Sequence, residues 1–106
     1  MTPRRGQVYW VTFAEPVGRR PVLVVQNDVG NQHSPNTIVA HVSAKPRPDY
    51  PFLVAIDRAE LGQASWVHCE TLNTLPMGML EERLGMLGTE TMSRVDEALK
   101  TSLGLT

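Results

Sequence analysis

The sequence has one cysteine, Cys69. A single thiol forms no internal disulfide, and without a CxxC pair a cysteine-based zinc site is excluded too. Long apolar runs are also missing. Unbroken aliphatic stretches such as residues 22–25 fall far short of the roughly 20 apolar residues that a membrane-spanning helix needs. The opening MTPRRGQVYW lacks the apolar core of a signal peptide. A cytoplasmic protein with no membrane segment is therefore expected. The histidines, His33, His41 and His68, show no HxxxH-like spacing, and there is no GxSxG and no phosphate-cradling glycine loop. Neither a metal nor a cofactor is expected. Charge of one sign is not in excess: the net charge is −1, which argues against a protein that coats nucleic acid non-specifically.

What is present is ordinary globular material. The chain has 106 residues, 42% of them hydrophobic and 20% charged. That suffices for one domain over residues 1–106, burying roughly 65% of its unfolded surface. The charge is uneven. Residues 1–50 carry Arg4, Arg5, Arg19, Arg20, Lys45 and Arg47 against Glu15, Asp28 and Asp49, a net +3, and the remainder sums to −4. One face attractive to a polyanion and an acidic, soluble remainder is one reading; charge scattered over the surface is the other.

Seven of the eight prolines lie in the first 51 residues, which excludes long helices there. Between them run short β-branched and aromatic segments at 7–13, 22–26, 37–43 and 52–56, followed by 65–71 and 82–87. Short strands at this spacing predict a small closed barrel, since closure removes exposed edges. Residues 44–51 read as a surface loop. The period then changes. Met92, Val95, Leu99 and Leu103 recur at helical steps, with Thr89 placed to cap the start and Gly104 the end. Glu90 with Arg94, and Asp96 with Lys100, are spaced as i,i+4 pairs. The fold class is mainly β with α: a small barrel with a C-terminal amphipathic helix.

Three places could carry chemistry. In Gly18-Arg19-Arg20-Pro21, Pro21 biases Arg20 toward extended backbone at the start of the second strand, offering a planar cation to a phosphate. Taken alone, the pair reads more readily as two solvated loop arginines. In the third strand, alternation sets Thr37, Val39, His41 and Ser43 on one face and Ile38, Ala40 and Val42 on the core face. His41 and Ser43 are then neighbours able to reach one phosphodiester; the other reading makes Ser43 a turn residue bonding Lys45, and His41 a packing residue. The stretch 27–35 (NDVGNQHSP) has the composition of a loop rich in side-chain-to-backbone turns. Glu70, at the end of an otherwise apolar strand, is either exposed or paired.

Taken together, MTPRRGQVYWVTF, RRPVLVVQNDVGN, SP before the TIVAHVSA strand, DYPFLVAI and RVDEALKTSLGL resemble the MazF/PemK family of toxin ribonucleases. The likeness spans essentially the whole chain, with its elements in the family's order. It implies a small SH3-like barrel, a homodimer, and metal-independent endoribonuclease cleavage of single-stranded RNA at short sequences, leaving a 2′,3′-cyclic phosphate and a 5′-hydroxyl. It also implies inhibition by a cognate antitoxin whose disordered, acidic segment covers the RNA-binding surface. The family's catalytic arginine falls on Arg20, its catalytic threonine on Ser43, and the asparagine of its QND on Asn27. Arg19, Asn27, His41, Glu70 and Asn73 are the expected substrate-binding residues. Three departures stand out: a shorter loop before Arg19, Asn73 in place of a basic residue (with Pro76 and Met77 where Asp and Lys are common), and His41 where a small residue is usual. An imidazole beside Ser43 suggests His41 as a general base. The rival readings are a non-catalytic toxin of the same fold, of the gyrase-poisoning CcdB type, and an attenuated homologue that binds RNA or peptide without cutting.

Overall fold

Six strands alternate with short helices in the computed structural model, which describes residues 2–45 and 48–105. The strands are β1 (Gln7–Thr12), β2 (Arg19–Val24), β3 (Asn36–Ser43), β4 (Leu53–Ile56), β5 (Ser65–Pro76) and β6 (Arg83–Met86), and the helices are α1 (Asp28–His33), α2 (Arg58–Leu61) and α3 (Thr89–Leu103). All six strands form one antiparallel sheet in the order β4-β5-β3-β2-β1-β6, curled into a half-barrel. The mainly β architecture with a C-terminal helix agrees with the sequence reading. Pro46 and Arg47, within the expected 44–51 loop, lie outside the described residues.

Closure differs from the expectation. Among the described residues β4 and β6 do not pair; α2, which leaves β4, packs on β6 instead. The approach is so close that a Cβ on Gly85 would sit 2.9 Å from Leu61 Cδ2 and 3.3 Å from the Glu60 carbonyl, so β6 needs glycine here. Glu60 fastens the joint. Its carboxylate accepts from the Gly88 N–H (2.8 Å) and from the Thr91 hydroxyl (2.8 Å). The start of α3 is thus capped by a residue from α2, and the N-cap is Gly88 rather than Thr89. Glu60→Ala is expected to lower unfolding stability by about 1–2 kcal/mol, read from urea or thermal melts. An unchanged midpoint would show that this cross-link is idle.

Alternation fills both faces of the sheet. On one, Val8, Leu23, Ala40, Val42, Val67 and Cys69 pack with Val95 and Ala98 of α3. On the other, Tyr9, Val11, Val22, Val24, Val39 and Leu75 form a second cluster. Hence Thr37 and Val39, expected on the face away from the core, are also buried, and the Thr37 hydroxyl donates to Asn31 Oδ1 at 2.7 Å. Burial, with Glu70 nearby, pushes the Cys69 thiol up to about 11, which keeps it protonated and inert at neutral pH.

Other local details depart from the sequence reading. The turn-rich 27–35 stretch contains α1, because Asn27 Oδ1 accepts from the Gly30 N–H (2.7 Å) and starts a helix rather than an isolated turn. The i,i+4 pairs on α3 give way to other partners: Asp96 binds Arg5 at 2.7 Å, Lys100 pairs with Glu97 one turn away on the same helix at 3.0 Å, and Arg94 donates to the Ala55 carbonyl at 3.1 Å. Gly104 ends α3 with φ +70°, as expected.

Candidate active site

The ladder between β2 and β3 pairs Val24 with Val39, Leu23 with Ala40 and Val22 with His41, and stops there. The next residue of β2 is Pro21, which has no N–H to extend it. Continued by two residues, the same register sets Arg20 opposite Ser43, and pairing between β3 and β5 sets His41 opposite His68 and Ser43 opposite Trp66. Cross-strand partners and residues two apart share a face. Arg20, His41, Ser43, Trp66 and His68 therefore lie on one face of three adjacent strands, at the end of the sheet where β2 and β3 part.

A cavity of about 630 Å³ opens at this end. Arg20, Ser43, His41 and His68 line it, with Lys45 and Gln63 and with Trp10 and Arg19 at one side. Among the described residues it is lined by Arg19, Arg20 and Lys45 and by no carboxylate, so its field favours an anion. The two arginines are not equivalent. Arg19 lies 4.5 Å over the Trp10 ring and pairs with Glu81 at 3.1 Å. The Thr12 hydroxyl and Arg19 hold the Glu81 carboxyl below the usual carboxylate range. Arg20 makes only a 3.5 Å contact to the Arg19 carbonyl and is exposed, leaving its fork available. Ser43 Oγ accepts from the Lys45 N–H at 3.2 Å, the turn bond anticipated from sequence, which leaves the hydroxyl proton to donate elsewhere.

The remaining expected residues divide. His41 lines the cavity, but its Nε2 is hydrogen-bonded to Asn73 Oδ1 and its ring stacks on Phe13 with centroids 5.0 Å apart. Asn73 thus holds an imidazole. Asn27 is not among the cavity's lining residues; its side chain caps α1. Glu70 sits in a bulge of β5: Ala40 faces Leu72 and His41 faces His68, leaving residues 69–71 unmatched. Its carboxylate approaches His68 Nδ1 at 3.5 Å, the paired alternative of the sequence reading. Sequence reasoning missed His68 and Trp66 as neighbours of Ser43, and had Lys45 only as its turn partner, not as a cation lining the cavity. Lys45 follows Ser43 by two residues and was within reach of the alternation argument; the register that brings β5 alongside was not. Among the described residues no three His, Cys, Asp or Glu side chains converge as metal ligands, and no helix is long and apolar enough to cross a membrane.

Comparison with known proteins identifies the family and the fold. Residues 4–103 match the family described as PemK-like, MazF-like toxin of type II toxin–antitoxin system. The chain is 38% identical over 113 aligned positions to endoribonuclease EndoA of Bacillus subtilis (strain 168), covering 99% of this chain and 97% of that protein. Its fold is similar to a mycobacterial endoribonuclease solved with its cognate antitoxin (TM-score 0.88, 30% identity, 98% of this chain and 97% of the other). A second structure of an endoribonuclease from a mycobacterial species superposes with TM-score 0.87 at 29% identity, covering 98% of this chain and 93% of that one. By this near-complete match in sequence and fold, the chain belongs to the PemK-like, MazF-like toxins of type II toxin–antitoxin systems.

Proposed function

We propose that this chain, an endoribonuclease of the toxin family to which it belongs, cuts single-stranded RNA without a metal ion by using the RNA's own 2′-hydroxyl as nucleophile. The 2′-oxygen loses its proton and bonds to the adjacent phosphorus, and the P–O5′ bond breaks. The products are a 2′,3′-cyclic phosphate and a 5′-hydroxyl. The phosphorane passed on the way carries extra negative charge, and a fixed cation beside it lowers the barrier by several kcal/mol. Arg20 supplies that cation and Ser43 donates its hydroxyl proton to a phosphate oxygen; Arg19 and Lys45 draw the flanking backbone in. The observation that carries the reading is the convergence of Arg20 and Ser43 on a cation-lined cavity without a carboxylate.

Two copies of the chain form the working unit in the cytoplasm, and an acidic segment of a cognate antitoxin competes with RNA for the cationic cavity. Incubating the purified protein with a long defined RNA in EDTA tests the proposal. New ends bearing cyclic phosphate and 5′-hydroxyl, absent when every residue of the RNA lacks its 2′-hydroxyl, are the expected outcome. RNA that is bound and never cut would favour a binding module, and dependence on added metal would remove the metal-free mechanism.

A further inference from the structure

Arg20 and Ser43 leave one step without an agent. The attacking 2′-hydroxyl must lose a proton, and a guanidinium with pKa above about 12 is a poor acceptor. Two imidazoles line the same cavity, and the structure distinguishes them. His41 is committed, with Nε2 on Asn73 and its ring on Phe13. His68 is not. Its Nε2 is buried and has no hydrogen-bond partner, alone in this among the side chains of the described residues. A buried polar atom left unpaired costs about 1–3 kcal/mol, so its retention calls for an explanation. His68 lines the cavity and lies directly across from His41, one step along the same face from the Ser43–Trp66 pair.

Glu70 completes the arrangement. Its carboxylate stands 3.5 Å from His68 Nδ1, two residues along β5 and inside the bulge that leaves residues 69–71 without partners on β3. A carboxylate beside Nδ1 places the neutral ring's proton there and leaves Nε2 with a free lone pair.

We infer that His68 is the general base of this site, its Nε2 taking the proton of the attacking 2′-hydroxyl while Glu70 holds the ring in the competent tautomer. The inference rests on the proposed ribonuclease function. The 2′-O–H bond breaks as the proton passes to Nε2, the 2′-O–P bond forms, and the 5′-oxygen leaves with its bonding pair and takes a proton from water. His68 then returns its proton to solvent. His68 is the catalytic residue in this step and Glu70 its positioning residue; His41, fixed by Asn73 and Phe13, forms the opposite wall.

The charged and titratable groups around His68 are His41 on β3, Arg19 and Arg20 on β2, Lys45 beyond β3, and Glu70 on its own strand. β4, its other neighbour, contributes none between Leu53 and Ile56, and α3 packs against the opposite face of β5 through Val67 and Cys69.

The test is single-turnover cleavage of a short RNA carrying a mapped site, in EDTA, across pH 5–9. The proteins compared are wild type, His68→Ala, His68→Gln, Glu70→Gln and Arg20→Ala, each checked for native circular dichroism. Loss of a general base costs at least about a hundredfold. His68→Ala should show that loss together with disappearance of the limb that rises with pH, and added imidazole should restore part of the rate to it. His68→Gln, which keeps bulk and hydrogen bonding, should be equally slow, whereas Glu70→Gln should keep the rising limb at a rate reduced about tenfold. If His68 variants fail to fold, the wild-type profile decides: a rate that does not rise with pH overturns the inference. So does a His68→Ala rate within threefold of wild type. When Arg20→Ala is inactive in that case, the ribonuclease site stands and only the base is misassigned. A wild-type protein that cuts no RNA overturns both.

Discussion

Replacing Arg20 with alanine is expected to lower the single-turnover rate of RNA cleavage by about a hundred- to a thousandfold, the range seen when one preorganised donor to a developing oxyanion is removed. Stability should hardly move. The side chain is exposed, and its hydrogen bonding among the described residues is one 3.5 Å contact to the neighbouring carbonyl; surface changes of that kind usually lie within about 0.5 kcal/mol. Arg20→Lys should recover part of the loss, because it restores the charge without the planar fork that grips two phosphate oxygens. Arg19 provides the contrast. Held over Trp10 and paired with Glu81, it supports the rim of the cavity, and Arg19→Ala should weaken RNA binding more than it slows the bound reaction. Cleavage by Arg20→Ala within threefold of wild type, with the fold intact, would remove Arg20 from the chemistry.

The site was partly legible in the sequence because part of it is local. Pro21 fixes the backbone of Arg20 as extended, and strand alternation alone puts His41 beside Ser43. Both readings hold in the structure, as does the hydrogen bond between Ser43 and the Lys45 N–H. The missing part is non-local. Nothing in the residues around His68 says that β5 lies beside β3, nor that three residues bulge between Leu72 and His68. Asn73 shows the same limit from the other side: expected to bind substrate in place of a basic residue, it is hydrogen-bonded to His41 across the ladder.

The fold divides in the same way. Six strands and the terminal helix were readable from period and punctuation, since binary pattern is a property of short windows. The two missed helices, α1 and α2, are too short to show a period. Each earns its place through distant contacts: α1 through Asn31, buried against Thr37, and α2 through Leu61 and Glu60, which join the two ends of the sheet. Closure by a four-residue helix rather than by strand pairing is a tertiary solution to an edge problem that sequence could pose but not answer.

Leu23→Ala should be the most damaging single change to stability, and it separates scaffold from chemistry. Leu23 is fully buried in β2, paired with Val8 on β1 and Ala40 on β3, and it packs in the cluster that α3 covers. Truncating such a leucine removes transfer free energy and leaves a cavity that rigid neighbouring strands cannot fill, a loss of about 2–5 kcal/mol. For a domain of this size that corresponds to a fall of roughly 10–30 °C in Tm, with a lower urea midpoint and an unchanged slope. Leu23 points to the opposite face of β2 from Arg20, so well below its own melting point the variant should still cut RNA within about threefold of the wild-type rate. A loss of cleavage as large as that of Arg20→Ala, under conditions where the variant is folded, would mean that the position of the guanidinium depends on packing beneath β2 rather than on the Pro21 backbone and the strand register.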